Sequence, residues 1–332
     1  MNRFKDTDFL HASARVRTLE THMLGRRELQ KMIDCRSFDE AFKTLSDAGI
    51  AAGRDSADYE AGLTDSLAEA YNLAEQISPD PNLIRLFRYK YDGHNLKTMI
   101  KARKVSGDYN HILIPLGTVA LKELQAEFSS GKFEKLDPRL ALAAQEADEA
   151  LAKTSDPQTV DITIDKAVLE TMAAHAAQYD VPFLHTLVAA QIDIANIRTA
   201  IRMRRMGKDV FFLRRVLAEG GKIDKAKLQE AFTKGEDELL AAISATDYGP
   251  FLESALEGLR GGASLTQFER LCDNYVIELL RKARLVAFGV EPLVSYLFAK
   301  ESEIQAARIV LASKAAGVSA QQITERLRDT LS

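Results

Sequence analysis

One stretch of the chain is written three times, and this repetition constrains the fold more than any other feature. Residues 182–207, PFLHTLVAAQIDIANIRTAIRMRRMG, have a counterpart 101 positions earlier, where Pro81 falls on Pro182 and Asp92, Asn95 and Thr98 fall on Asp193, Asn196 and Thr199. A second counterpart lies 110 positions later, with Pro292 on Pro182, Glu303 on Asp193, Arg308 on Arg198 and Leu311 on Ile201. Each copy closes on a glycine: Gly107, Gly207 or Gly317. Self-similarity at a long period means one supersecondary unit used repeatedly.

The ends of each copy predict a long helix. Proline at the first helical position leaves no backbone N–H unsatisfied, and Asp80, Asp180 and Glu291 sit beside it at the positive end of the helix dipole. Basic residues crowd the last turns (Lys101, Arg103, Lys104; Arg202, Arg204, Arg205; Lys314), and the glycine then permits a left-handed C-terminal turn. Between these ends Leu86, Phe87, Leu96 and Ile100 recur as Leu187, Val188, Ile197 and Ile201, then as Leu297, Phe298, Ala307 and Leu311, in the steps of an amphipathic helix. About 24 residues make a rod of roughly 36 Å.

The repeat is larger than its long helix. Leu29-Gln30 and Asp39-Glu40 match Leu228-Gln229 and Asp237-Glu238, and a third version carries Leu124-Gln125 and, after an insertion, Asp148-Glu149. Medium helices are expected near 57–77, 161–179 and 265–288, and a shorter one at 9–24. Each unit thus reads as a Leu-Gln helix, an Asp-Glu helix, a medium helix, a Pro-started long helix and a glycine stop. The expected fold is all-α, with three pseudo-repeated helical domains at 1–115, 116–218 and 219–332. The tail after Gly317 resembles the start of one more unit, so the first and last helices are expected to complete each other.

Composition narrows function. With 46% apolar and 28% charged residues the 332-residue chain is that of a folded protein, and a net charge of −4 argues against a global attraction to nucleic acid or anionic membranes. Cys35 and Cys272 stand apart with no CxxC spacing, which suits buried thiols in a reducing compartment. The N-terminus has no signal-peptide run and no segment has 18 consecutive apolar residues, so the expected location is cytoplasmic, with any membrane association indirect.

No reactive constellation stands out. Gly-Lys pairs at 131, 207 and 221 lack both the earlier glycine and the following hydroxyl of a phosphate loop. The histidines show no metal-ligand spacing, His94 included, and Cys272 has no partner signal. No cofactor and no metal are expected. Asp92 with Asn95 and Asp193 with Asn196 fall on one helical face each, and their recurrence argues for packing devices, hydrogen-bonded to a neighbouring segment or a basic residue. The third copy keeps Glu303 but has Ala306 for the asparagine. The basic positions Lys97, Lys101, Arg198, Arg202 and Arg308 admit two readings: helix ends complementing their own dipole, or a ring of pseudo-equivalent cations that meets an acidic partner. Aromatic residues are not interleaved with them, so nucleic acid is not an expected partner.

Four segments together carry a resemblance: FLHASARVR at 9–17, YDGHNLKTMIKAR at 91–103 followed by ILIPLGTV at 112–119, DIANIRTAIRMR at 193–204, and the run from Glu291 to Arg328. In order and content they resemble the C subunit family of A/V-type ATPases, whose vacuolar members are known by the letter d. The resemblance implies three similar helical domains about a pseudo-threefold axis, forming a funnel. It further implies a non-catalytic central-stalk (rotor) component on the cytoplasmic face of the membrane. Such a part would couple the D and F proteins of the shaft to the proteolipid (c/K) ring and transmit torque for proton or sodium transport, or for ATP synthesis. On this reading the shaft meets Lys97, Lys101, Arg198, Arg202 and Arg308. The alternative is a soluble helical-repeat scaffold or adaptor.

Overall fold

The computed structural model describes residues 4–104 and 109–327. Among them there are helices and connecting turns but no β-strand. Gly107 lies outside the described residues.

The chain folds as two compact units. Of the described residues, one combines 4–84 with 277–327. It contains helices α1 (Leu10–Glu20), α2 (Arg26–Asp34), α3 (Phe38–Asp47) and α4 (Tyr59–Ile77). The remaining numbered helices are the short α5 (Asn82–Arg85), then α6 (Tyr89–Ala102), α7 (Leu121–Ser130), α8 (Pro138–Thr154), α9 (Pro157–Ala176), α10 (Pro182–Arg205), α11 (Val210–Val216), α12 (Lys225–Lys234), α13 (Glu236–Ser244), α14 (Gly249–Arg260), α15 (Leu265–Arg284), α16 (Val290–Ala315) and α17 (Ala320–Arg326). The second unit spans 85–276, and α16 and α17 belong to the first. Within that first unit α16 packs on α1, α2, α3 and α4, and α17 meets α2. The two ends of the chain therefore share one unit, with α1 packed on α16 and α17 on α2 rather than a pairing shown between the first and last helices themselves.

The three long-helix copies differ at their N-terminal ends. Pro182 opens α10 as its first residue, as expected. Pro292 is the third residue of α16, still within the turn whose N–H groups have no intrahelical acceptor. The first copy is not one continuous helix. Pro81 sits in a turn, α5 follows, and a 3-10 turn over Leu86–Arg88 separates it from α6. Residues 86–88 are all buried there, and the Arg88 guanidinium reaches the Leu116 carbonyl at 3.1 Å.

The C-terminal ends obey the glycine rule where they are described. Gly207 and Gly317 have φ of 67° and 68°. The following residues, Lys208 and Val318, donate their N–H back to Met203 and Ser313. This left-handed closure satisfies carbonyls that the helix end would otherwise leave open. The repeated apolar positions form the core: Leu86, Leu96, Ile100, Leu187, Ile197, Ile201, Leu297, Ala307 and Leu311 are fully buried, whereas Phe298 is half-buried. Each buried Leu or Ile stabilises the fold by about 1.5–3 kcal/mol. The remaining boundaries shift slightly from expectation: the N-terminal helix begins at Leu10 after a 3-10 turn over Asp6–Phe9, and α9 and α15 end at Ala176 and Arg284.

Two measurements check this packing. A Cβ on Gly93 of α6 would lie 2.5 Å from Val168 Cγ2 on α9. Gly93→Ala gains roughly 1 kcal/mol of helix propensity, but the overlap costs about 1–3 kcal/mol, so the urea midpoint should fall; a rise would contradict the close approach. Burial pushes the Cys272 thiol up to about 12, while Cys35 is only partly buried. Native protein should therefore titrate one thiol quickly and the second only after unfolding.

Candidate functional site

The repeated polar residues assemble into one recurring arrangement, in which a long helix grips a short helix at both ends. Asp92 of α6 accepts hydrogen bonds from the Thr118 N–H and hydroxyl at 2.9 and 2.7 Å. Asp193 of α10 accepts from the N–H groups of Lys222 and Ile223 at 2.8 and 3.1 Å and from the Tyr248 hydroxyl at 2.7 Å. Glu303 of α16 accepts from the Leu24 N–H at 2.5 Å, and its other oxygen faces the Lys300 ammonium at 2.5 Å. All three carboxylates are fully buried. Each holds the loop just before a Leu-Gln helix: α7, α12 or α2.

Eleven residues further along each long helix stands a cation: Arg103, Arg204 or Lys314. It reaches the C-terminal carbonyls of the same short helix. Arg103 donates to Phe128 O at 3.2 Å, Arg204 to Phe232 O at 3.2 Å and Lys314 to Cys35 O at 2.5 Å. Eleven residues rise about 16 Å, close to the length of a nine- or ten-residue helix. Anion at the N-terminus and cation at the C-terminus match the short helix's dipole. The basic ends of the long helices thus serve a neighbour's dipole rather than only their own.

Asparagine adds a second tie in two of the three places. Asn95 donates to Ile114 O and accepts from Ile114 N–H, both at 2.8 Å; Asn196 does the same with Ala218 at 2.9 and 2.8 Å. Ala306 is buried at the third place. Glycine makes the close approach feasible: a Cβ on Gly117 or Gly221 would lie 2.1 or 2.0 Å from the Asp92 or Asp193 Oδ1. Met23 stands before Leu24 at the third place, where the acid is the longer glutamate. Asp92 incurs a desolvation cost: burial raises its pKa, opposed by the Thr118 hydrogen bonds.

The five basic candidates all meet acids of their own chain. Lys97 pairs with Asp165 at 2.6 Å and Lys101 with Asp161 at 2.5 Å, joining α6 to α9. Arg198 pairs with Asp273 at 2.8 Å and Arg202 with Glu269, joining α10 to α15. Arg308 pairs with Glu60 at 2.8 Å, joining α16 to α4. Each long helix is thereby tied to a medium helix, and each cation keeps part of its side chain in solvent. Sequence reasoning missed these acids, and also Gly117, Gly221 and Tyr248. Only the recurrence of glycine one residue before the gripped N–H offered a signal. His94 hydrogen-bonds the Ile112 carbonyl at 3.0 Å. Among the described residues, no group of three or more His, Cys, Asp or Glu side chains is placed to hold a metal ion, and no helix is long and apolar enough to cross a membrane.

An all-helical chain whose recurrent polar residues grip short helices defines a protein class built around packing. Residues 12–326 match the family described as ATP synthase (C/AC39) subunit, and the chain belongs to that family. It is 26% identical to the C subunit of the V-type sodium ATPase of Enterococcus hirae, over 94% of this chain and 96% of that protein. It is 24% identical to the C subunit of the A-type ATP synthase of Methanocaldococcus jannaschii, over 96% and 86%. To the C subunit of the V-type ATP synthase of Thermus thermophilus it is 25% identical, over 96% and 98%.

Substitutions separate the buried grips from the exposed pairs. Asp193→Ala leaves three donors unpaired, the Tyr248 hydroxyl buried and the Lys222 and Ile223 N–H groups partly buried, and should cost about 2–4 kcal/mol, whereas Lys97→Met should cost under about 1 kcal/mol; equal costs in urea unfolding would contradict this ranking. Because Asp92 titrates higher when folded, the stabilisation gained by protonating it is fully present below the unfolded value of about 3.9 and is lost as pH rises through the raised folded value, leaving the hydrogen bonds that the carboxylate accepts. Stability relative to Asp92→Asn should therefore shift in favour of the natural chain on acidification, measured by urea midpoints across that window.

Proposed function

We propose that this chain is a non-catalytic central-stalk component of a V/A-type ATPase, seated peripherally on the cytoplasmic side of the membrane. It couples the shaft, made of the D and F proteins, to the proteolipid (c/K) ring, and it transmits torque for proton or sodium transport or for ATP synthesis. The observation that carries this reading is the family match across residues 12–326, together with relatives named as C subunits of a sodium ATPase and of ATP synthases. The grips support it physically, since a part that passes torque must not yield internally. The three repeats at 1–115, 116–218 and 219–332 are proposed as similar modules about a pseudo-threefold axis, giving the shaft a funnel to enter.

Within this reading, the shaft meets the half-exposed cations Lys97, Lys101, Arg198, Arg202 and Arg308. Each already holds a carboxylate of its own chain, so an acidic shaft surface must share or displace Asp165, Asp161, Asp273, Glu269 and Glu60. A coupling that does not slip needs an interface on the order of 2,000 Å² or more.

Detergent-solubilised membranes should yield this chain with the ATPase head, shaft and ring, and its deletion should leave ATP hydrolysis by the head uncoupled from ion movement. A chain found free of all ATPase components, with coupling intact after deletion, would favour a scaffold or adaptor instead. Neutralising Lys97, Arg198 and Arg308 to Met should weaken shaft binding with little loss of fold; unchanged shaft affinity would remove these residues from the contact.

A further inference from the structure

The cations of the second long helix and its continuation divide into two sets. Arg198 and Arg202 hold carboxylates of α15, Arg204 holds the end of α12, and Arg205 pairs with Glu236 at 3.0 Å. Lys208, Arg214 and Arg215 do not share this fate. Lys208 Nζ and Arg215 Cζ lie 5.3 and 5.4 Å from the Phe212 ring centroid, and Arg214 Nε lies 3.4 Å from Gln229 Oε1. Among the described residues, none of the three has an ion-pair partner. Asp209, the carboxylate nearest in sequence, is committed to capping α11 through the Phe212 N–H at 2.7 Å.

The same segment exposes apolar surface. Phe211 is 71% exposed and Met206 45% exposed, although α11 is anchored beneath by the fully buried Leu213. Lys166 donates to the Arg215 carbonyl at 2.9 Å and fixes the helix's far end. A seven-residue helix is thus held firmly, and together with the preceding turn it presents a bare aromatic ring and a methionine among three cations. Phe211 contributes nothing to the core from this position, and its ring is left in water where a buried one would add to stability.

We propose that α11 and the preceding Met206–Asp209 turn form a docking surface for an acidic amphipathic helix of another protein. Its carboxylates meet Lys208, Arg214 and Arg215, and an apolar side chain between them covers Phe211 and Met206. Charge complementarity selects the partner's sign. Locality favours a protein helix over an anionic bilayer: with a net charge of −4 the chain as a whole is not drawn to an extended negative surface, whereas a short helix answers to the local cluster of three cations. Two cations stacked on one ring are pre-oriented, which reduces the side-chain ordering cost of docking. This surface is separate from the cations assigned above to the shaft and stands whether or not that assignment holds.

The test is a titration of the full-length chain with a labelled synthetic peptide of about 18 residues, five helical turns, bearing glutamates on both sides of a leucine stripe. Saturable binding is expected, falling with added salt. The combined variant Lys208→Gln, Arg214→Gln, Arg215→Gln should bind roughly tenfold more weakly, and Phe211→Ser should also lose affinity, with the thermal midpoint of both unchanged. Substituting serine for the leucines of the peptide should have a similar effect. The proposal is overturned if the natural chain fails to bind, if the variants bind as well as it does, or if vesicles of anionic phosphatidylglycerol capture the chain through these residues while the peptide does not.

Discussion

The fold depends on a buried carboxylate that holds the backbone of a neighbouring loop. An ionised group removed from water is tolerated only when hydrogen bonds replace its hydration, and backbone N–H groups at a helix entry are suited to this because the dipole adds to them. Asp92, Asp193 and Glu303 each occupy such a position, with a cation at the far end of the same short helix. The short helix is fixed at two points about 16 Å apart, so it can neither slide nor swing without breaking one of them. In the third instance the gripped helix lies at the opposite end of the chain: Glu303 reaches Leu24 and Lys314 reaches Cys35. The N-terminal segment and the C-terminal long helix consequently form one compact unit.

The exposed ion pairs between long and medium helices do different work. Pairs such as Lys97 with Asp165 are partly solvated and contribute little individually. They join each long helix to a medium helix: α6 to α9, α10 to α15 and α16 to α4. Their occupancy also bears on partners: a cation that already holds an acid offers less to a second one than Lys208, Arg214 or Arg215, which hold none among the described residues. Charge near a helix end is therefore a poor guide to a binding surface until its internal partners are known.

Much of the architecture was legible in the sequence because it rests on local rules. Pro182, the basic last turn and Gly207 bracket α10 as read, and the recurrence of Asp92 with Asn95 and of Asp193 with Asn196 marked them as packing devices. The 3-10 break at Leu86–Arg88 was not legible, since what accompanies it is a tertiary contact of Arg88 with Leu116 that no local pattern announces. The loops that the acids grip were equally hidden: Asp92 meets Thr118 and Asp193 meets Lys222 at different separations, while Glu303 reaches back to Leu24. No fixed period relates those partners. The acids opposite the five candidate cations lie on helices whose pattern shows their apolar face but not which charge they oppose.

Hydrogen exchange of the backbone amides of Leu24, Thr118 and Lys222 tests most directly whether the buried carboxylates hold the fold. All three amides sit in loops, where exchange is ordinarily quick, yet a buried carboxylate that anchors the fold protects them until the surrounding unit opens. They are expected to exchange as slowly as core amides of α10 and α16. Exchange at the rate of neighbouring exposed loop amides would contradict this, because Asp92, Asp193 and Glu303 would then not be holding these loops in solution.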